Sequence, residues 1–352
     1  MLARQKIGWI GFDIGATSVK AAQVVRTEAG PRIRSAAIVP RTERWSPGAL
    51  AEDRPQSSAD EIQSSASLCD RLAGADAATL LPVAMCDLVQ IDAPSAKRSG
   101  GAAAADLLRA VEAETHRPMR DRVVDSWPVA LQPGKVNVVA APRAWSDQIS
   151  ADVAAGGWNC RLIDALPWAL ARAASMAAGV EVGRPIAALD WGYGKGTICL
   201  VHNGAPVLVR SLKDCAYQNV LDAISTGLRL DERDAESLLQ QHGLDAAHGA
   251  EFKSAGVIEN LLEQPLNRLT VEIRRTLEYW RGVTRGQLPE IIYVFGGGGT
   301  LAGIGPRLAR QLGVHVEPWQ LPTEVPAHAA LLPPACLLGA AVGMSAVAWE
   351  AP

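Results

Sequence analysis

The sequence predicts an α/β fold in which a second half repeats the plan of the first. Three stretches carry that prediction. The first is Gly8–Lys20, where an apolar run from Ile7 to Phe12 ends in Asp13, Gly15, Thr17 and Ser18, and a second apolar run follows from Val19 to Val25. It reads as strand, tight turn, strand. The second is Ala187–Val201, which again runs from an apolar strand through Asp190, Gly192, Gly194, Lys195, Gly196 and Thr197 into another apolar strand. The third is Ile291–Phe295, a buried-strand pattern that enters Gly296, Gly297, Gly298, Gly299 and Thr300 and then a helix from Ile304 to Leu312. Four successive glycines cost much chain entropy, so a close backbone approach is expected there.

The first half builds on its opening hairpin. Arg32–Pro40 adds a third strand, residues 41–60 read as loop, and an Ala-rich polar helix is expected over Ala59–Ala73. Thr79–Ile91 is β-rich and contains Pro82; Lys97–Ala102 reads as a Ser/Gly linker. A helix over Ala103–His116 stops before Pro118. Strands are expected at Val123–Leu131 and Lys135–Ala141 around the turn pair Pro133–Gly134, then a helix from Arg143 to Ala155 ending at Gly156–Gly157. Strand Cys160–Ala165 leads into helix Pro167–Ala178. Residues 79–157 thus form a β-α-β-β-α unit placed ahead of the second Asp/Gly turn.

The second half mirrors the first, with strands at Ile186–Asp190, Thr197–His202 and Pro206–Ser211 and the hairpin pair Asn203–Gly204 between the last two. Helices are expected over Tyr217–Gly227, over Asp231–His242 with an acidic start and Gly243 as its stop, and over Val257–Arg281. The last carries Leu261, Leu262, Leu266, Leu269, Ile273, Leu277 and Trp280 at helical spacing, which is a core-facing stripe. Ala335–Gly343 is a helix of small residues suited to close packing. The boundaries drawn are 1–82 for the start of the first domain, 83–157 for an inserted subdomain and 158–185 for a connecting helix. The second domain takes 186–326, with a helical part at 226–290, and a helix over 327–352 returns to the first.

Composition narrows the function. A chain of 352 residues, 48% hydrophobic and 20% charged, is globular and long enough for more than one core. A net charge of −3 supplies no field for nucleic acid, so no nucleic-acid partner is expected. The six Cys are scattered without a Cys-x-x-Cys pair, and the six His show no metal-ligand spacing, so neither a disulfide framework nor a zinc site is expected. Arg4 and Lys6 lead straight into a strand rather than a long apolar core, and the most apolar stretch, Ala327–Trp349, is broken by Pro333, Pro334 and Gly339. A cytoplasmic protein without a membrane span is therefore expected.

Asp/Gly turns suit phosphate chemistry. Glycine turns let backbone N–H groups approach an anion, and a carboxylate beside them can hold Mg²⁺ through water. Alone, Asp-x-Gly-x-Thr is equally the pattern of an ordinary hairpin. Two such turns, followed by a glycine-rich turn, make a more specific set. It resembles the actin, Hsp70 and sugar-kinase superfamily, and so implies an actin-like (ribonuclease H-like) duplicated ATPase fold with ATP and Mg²⁺ in a central cleft. On that resemblance Asp13 and Asp190 hold the metal through water, and Asp190 is the one catalytic candidate. Gly15, Ala16, Thr17, Ser18 and Lys20 with Gly192, Gly194, Lys195, Gly196 and Thr197 meet the phosphates. Glu236 and Gly296, Gly297, Gly298, Gly299 and Thr300 meet the nucleoside.

The location of the 79–157 unit is narrower evidence. FtsA and the type IV pilus assembly protein PilM carry an extra subdomain there. Glu112–Pro118, Val138–Pro142 with the helix after it, Ala155–Asp164, Ala165–Ala173 and Ile304–Glu317 resemble the PilM family in particular, and the resemblance covers nearly the whole chain. FtsA adds a C-terminal amphipathic membrane helix, whereas this chain closes on Trp349–Pro352. Two departures stand out: the turn Asp190–Thr197 is a residue longer than the family's usual loop, and Leu239 stands where the family tends to place a Lys. The resemblance implies a cytoplasmic nucleotide-binding scaffold of a pilus, secretion or competence machine, at most a weak ATPase. It implies as partner the N-terminal cytoplasmic peptide of a PilN-like inner-membrane protein, and self-association as an option. A sugar or carboxylate kinase and an FtsA-like filament former are the alternatives.

Overall fold

The computed structural model describes residues 6–45, 50–94, 101–179, 183–244, 255–322 and 332–350. Of the expected linker over Lys97–Ala102, residues 97–100 lie outside that set, and Gly101 already begins a helix.

Two sheets repeat one topology. In the first, β2 (Ile10–Ile14) pairs antiparallel with β3 (Ser18–Thr27), and β3 with β4 (Gly30–Pro40). On the other side of β2 lie β5 (Asp76–Leu80) and β9 (Asn159–Asp164), both parallel. The short β1 (Lys6–Ile7) pairs with the end of β3. In the second sheet, β10 (Ile186–Trp191), β11 (Gly196–His202) and β12 (Ala205–Leu212) form the antiparallel run, and β13 (Ile291–Phe295) and β14 (His315–Pro318) add in parallel. The orders β4-β3-β2-β5-β9 and β12-β11-β10-β13-β14 correspond strand for strand. The β11–β12 hairpin turns on Asn203 and Gly204 with φ of 51° and 78°, the left-handed pair that such a two-residue turn demands.

The two sheets share a core. α4 (Leu166–Ala178) and α9 (Ala335–Ala346) lie between them, and one buried cluster joins Val24 and Ala78 of the first sheet, Leu170 and Leu338 of these helices, and Cys199 and Phe295 of the second sheet. Small residues permit this approach. A Cβ on Gly343 of α9 would lie 2.0 Å from the Ala169 carbonyl oxygen. The outer face of the second sheet is covered by α5 (Tyr217–Leu228), α6 (Glu232–His242) and α7 (Ala255–Val283), whose leucine stripe is buried with Trp280. α8 (Ile304–Leu312) flanks β14.

The inserted unit is a three-stranded sheet, β6-β8-β7, made of β6 (Asp87–Asp92), β7 (Arg122–Pro128) and β8 (Lys135–Pro142), with α2 (Gly101–Thr115) on one face. Two features depart from the sequence reading. The β-rich stretch Thr79–Ile91 is two strands in two different sheets, because Leu81 and Pro82 end β5 and a 3-10 turn over Val83–Met85 redirects the chain. α3 (Arg143–Ala155), grouped by sequence with the insert, packs on the first domain as well. Its Trp145, Ile149 and Val153 are buried with Phe12 of β2 and with Ile62 of α1 (Ala59–Ser67). The same cluster holds Trp127 of β7 and Val139 and Ala141 of β8, so α3 packs on the insert and on the first domain together.

The insert also touches the second half. Trp127 Nε1 donates to the Pro206 carbonyl at 2.7 Å, Asn137 Nδ2 donates to the same oxygen at 3.3 Å, and Val129 is buried in the second domain's core.

Candidate functional site

A cleft of about 450 Å³ opens between the two sheets at the turns that follow β2 and β10. Asp13, Gly15, Ala16, Thr17, Ser18 and Lys20 line one wall. Asp190, Gly192, Tyr193, Gly194 and Lys195 line the other, and Gly296 and Gly297 lie at its end with Glu236.

The first wall is a hairpin turn. Asp13 and Lys20 face each other across β2 and β3, and the lysine Nζ lies 2.8 Å from Asp13 Oδ2. The Gly15 amide donates to the Ser18 carbonyl at 3.0 Å, so it closes the turn instead of facing the cleft as expected. Arg41 braces this turn: its Nε donates to the Gly15 carbonyl at 2.7 Å, its Nη2 to Ser58 Oγ at 2.9 Å, and its guanidinium stacks 3.5 Å from the Trp45 ring. Burial lowers the Arg41 pKa to about 10, with Glu61, Asp13 and Asp152 opposing, so it stays charged at neutral pH.

The second wall ends β10. Asp190 is recessed at the cleft floor. Burial raises its pKa to about 7; the neighbouring Asp13 carboxylate adds to the rise, and Lys20 opposes it. The carbonyls of Gly192 and Tyr193 accept from the Tyr217 and Gln218 amides at 2.9 and 3.0 Å, which seats this turn on the start of α5. Gly196 and Thr197 lie behind the wall. Both are buried and pair with Trp191 and Asp190 in the β10–β11 ladder, and the Thr197 hydroxyl finds no partner among the described residues. A Cβ on Gly196 would lie 2.7 Å from the Cys215 carbonyl oxygen, so that glycine answers to packing rather than to a ligand.

The glycine run divides the same way. Gly296 has φ of 75°, and a Cβ there would lie 2.9 Å from Asp190 Oδ1. Gly297 faces the cleft beside the Tyr217 ring. Gly298 lies against the Trp191 indole, where a Cβ would lie 2.0 Å from a ring carbon, and Gly299 lies against the Val294 carbonyl and Cys336. Thr300 Oγ1 donates to the Gly297 carbonyl at 2.7 Å and closes the 3-10 turn over Gly297–Thr300. Two of the four glycines thus shape the cleft and two admit neighbours from behind. Leu239, three residues after Glu236 on α6, is buried in the second domain's core and takes no part in the cleft wall.

Several cleft residues escaped the sequence reading. Arg44 reaches across the mouth from the loop after β4 to pair with Glu232 at the start of α6, and the Tyr193 hydroxyl donates to the same carboxylate at 2.9 Å. Tyr217, Phe295, Cys336 and residues 80–84 also line the cleft. Arg44 lies in an aperiodic polar loop, and no spacing rule connects it to a helix 188 residues later.

No family model matches this chain, and no curated protein matches it. Solved structures do. Over 98% of its length, and 99% of the other chain, it is similar to the PilM-PilN type IV pilus biogenesis complex, with a TM-score of 0.73 at 24% identity. Over 98% of its length and 90% of the other chain it is similar to the ethanolamine utilization protein EutJ from Carboxydothermus hydrogenoformans, with a TM-score of 0.54 at 15% identity. These likenesses show the fold, the duplicated actin-like α/β architecture expected from the Asp/Gly turns.

Proposed function

We propose that this chain is a PilM-like nucleotide-binding scaffold that holds the N-terminal cytoplasmic peptide of a PilN-like inner-membrane protein. In that role it serves a type IV pilus, secretion or competence machine. The observation that carries the reading is the extent of the likeness. A match over 98% of this chain and 99% of the other takes in the insert as well as the duplicated halves. Among the described residues no helix is long and apolar enough to cross a membrane, so on this reading the peptide partner is what brings the protein to the inner membrane.

The cleft fits Mg-ATP. The Asp190 carboxylate makes no hydrogen bond or ion pair among the described residues, and its near-neutral pKa marks a carboxylate short of a cation. Asp13 faces it from the other domain, and two carboxylates with a lysine beside them are a donor set for a hydrated Mg²⁺. The first turn from Ala16 to Ser18 and the second from Gly192 to Lys195 flank the place for phosphates. Gly297, Tyr217 and Glu236 surround the place for the nucleoside. Bound Mg²⁺ would neutralise the phosphates. Lys20 holds Asp13 in position, and Arg41 keeps the turn rigid. Beyond Asp190 no group on the cleft floor among the described residues is placed to activate water, so turnover is expected to be slow or absent.

Two titrations test this. Calorimetry with Mg-ATP should show binding by the wild type and none by Asp13→Ala. A labelled synthetic N-terminal peptide of a PilN-like protein should bind with saturable fluorescence polarisation. No nucleotide binding refutes the cleft reading; nucleotide binding without peptide binding refutes the scaffold role; rapid phosphorylation of a small sugar or carboxylate favours a kinase instead.

A further inference from the structure

The insert hangs from the first domain by a short root. β5 ends at Leu80, the 3-10 turn over Val83–Met85 follows, and β6 begins at Asp87. Pro82, Val83 and Ala84 line the nucleotide cleft, so the root of the insert is also a piece of the cleft wall.

Lys195 bridges to that root from the opposite domain. It stands on the second phosphate turn, and its Nζ donates to the Val83 carbonyl at 3.3 Å. That bond is long for a charged donor, and the same carbonyl also accepts the Cys86 amide at 3.3 Å. Among the described residues no carboxylate lies within 4 Å of the ammonium, and Asp87, the nearest acid on the root, is engaged by Arg122 and Arg117. Burial lowers the Lys195 pKa, with Cys86 and Asp87 opposing, so the charge is held at a cost in this position. A half-buried cation in a cleft, held by one long hydrogen bond to a shared carbonyl, is poised to change partner.

We propose that Lys195 is a phosphate sensor: its ammonium exchanges the Val83 carbonyl for the terminal phosphate of a bound nucleotide, and the exchange loosens the root of the insert. The inference rests on the nucleotide reading of the cleft and adds a regulation to it. A phosphate oxygen is a far stronger acceptor for an ammonium than a shared amide carbonyl. Release of Val83 leaves its carbonyl to the Cys86 amide alone. The far end of the insert stays fixed to the second domain through Trp127, Asn137 and Pro206. The freedom therefore appears at the root, in residues 83–87 and the β6 edge. Linkage is reciprocal, so anything that binds the insert and fixes its root must alter nucleotide affinity by the same factor.

Hydrogen exchange on the full chain reads this directly. With saturating Mg-ATP, the amides of Met85–Ile91 in the wild type should exchange several-fold faster than in the free protein, and Mg-ADP should leave them near the free rate. Lys195→Met should bind Mg-ATP about tenfold more weakly, the size of one charge-assisted hydrogen bond, with affinity for adenosine unchanged. At its own saturating Mg-ATP its β6 amides should not respond. Mg-ATP binding by the wild type without any change in Met85–Ile91 exchange overturns the sensor and leaves the nucleotide site standing. An unaltered response in Lys195→Met overturns it equally. No calorimetric binding by the wild type overturns both readings together.

Discussion

Asp190 is where residue chemistry can be tested without any ligand. Its carboxyl titrates near 7, above the unfolded value near 4, because burial and the Asp13 carboxylate penalise its charge. The folded state therefore holds this proton across the window between those values. The associated stability is present in full below about pH 4 and is lost as pH rises through about 7. Asp190→Asn removes the charged form. In metal-free buffer it should match the wild type at or just below pH 4 and exceed it at pH 8, by on the order of 2 kcal/mol once local relaxation is allowed for. Thermal melts of both proteins at the two pH values check this; an equal gap at both would show that burial of Asp190 costs nothing. The residue types at the two Asp/Gly turns were legible in sequence because a carboxylate next to glycine is a local pattern. Which of the glycines face the cleft was not. Gly298 and Gly299 answer to Trp191 and Cys336, contacts that only the assembled fold creates.

Elements were legible to the degree that their cause was local. The Asn203–Gly204 hairpin, the Gly156–Gly157 stop and the stripe of α7 follow from backbone preference and periodicity, and each stands where the sequence places it. That α3 also packs on the first domain was not legible, since Trp145, Ile149 and Val153 make the same apolar face whichever neighbours receive it. Glycines in helices show the same division between local and tertiary cause. Gly343 on α9 and Gly282 on α7 have equal intrinsic cost in a helix, yet a Cβ on Gly343 would lie 2.0 Å from a backbone oxygen of α4, while nothing lies within 4 Å of one on Gly282. Gly343→Ala should therefore destabilise by roughly 3 kcal/mol or more through forced separation of α4 and α9. Gly282→Ala should stabilise by about 0.5–1 kcal/mol through helix propensity. Denaturant midpoints of the two variants check the pair; equal signs would show that α9 does not approach α4 as closely as its glycine requires.

At the scale of the whole molecule, a duplicated chain of two sheets raises the question whether it unfolds as two units or one. Each half has private apolar packing: Ile10, Phe12 and Ile62 in the first, Leu266, Ile273 and Trp280 in the second. Private cores alone would allow two transitions, as in chains whose domains meet through a small polar interface. Here α4 and α9 are buried by both sheets at once, and the cluster around them draws Val24, Ala78, Cys199 and Phe295 into one body. The insert adds a second tie through Trp127 and Val129. Melting either half alone would expose α4 and α9 along the whole face that the other half still covers, which removes the advantage of melting separately. The ligand-free chain is therefore expected to give one calorimetric transition with calorimetric and van't Hoff enthalpies in agreement. Gly343→Ala, which wedges the shared helices apart, should broaden or split that transition before it abolishes folding. Two resolved peaks in the wild type would mean that the halves are energetically independent. Cleft occupancy would then be relayed between the domains by side-chain bridges, Lys195 to Val83 and Arg44 to Glu232, and by the insert.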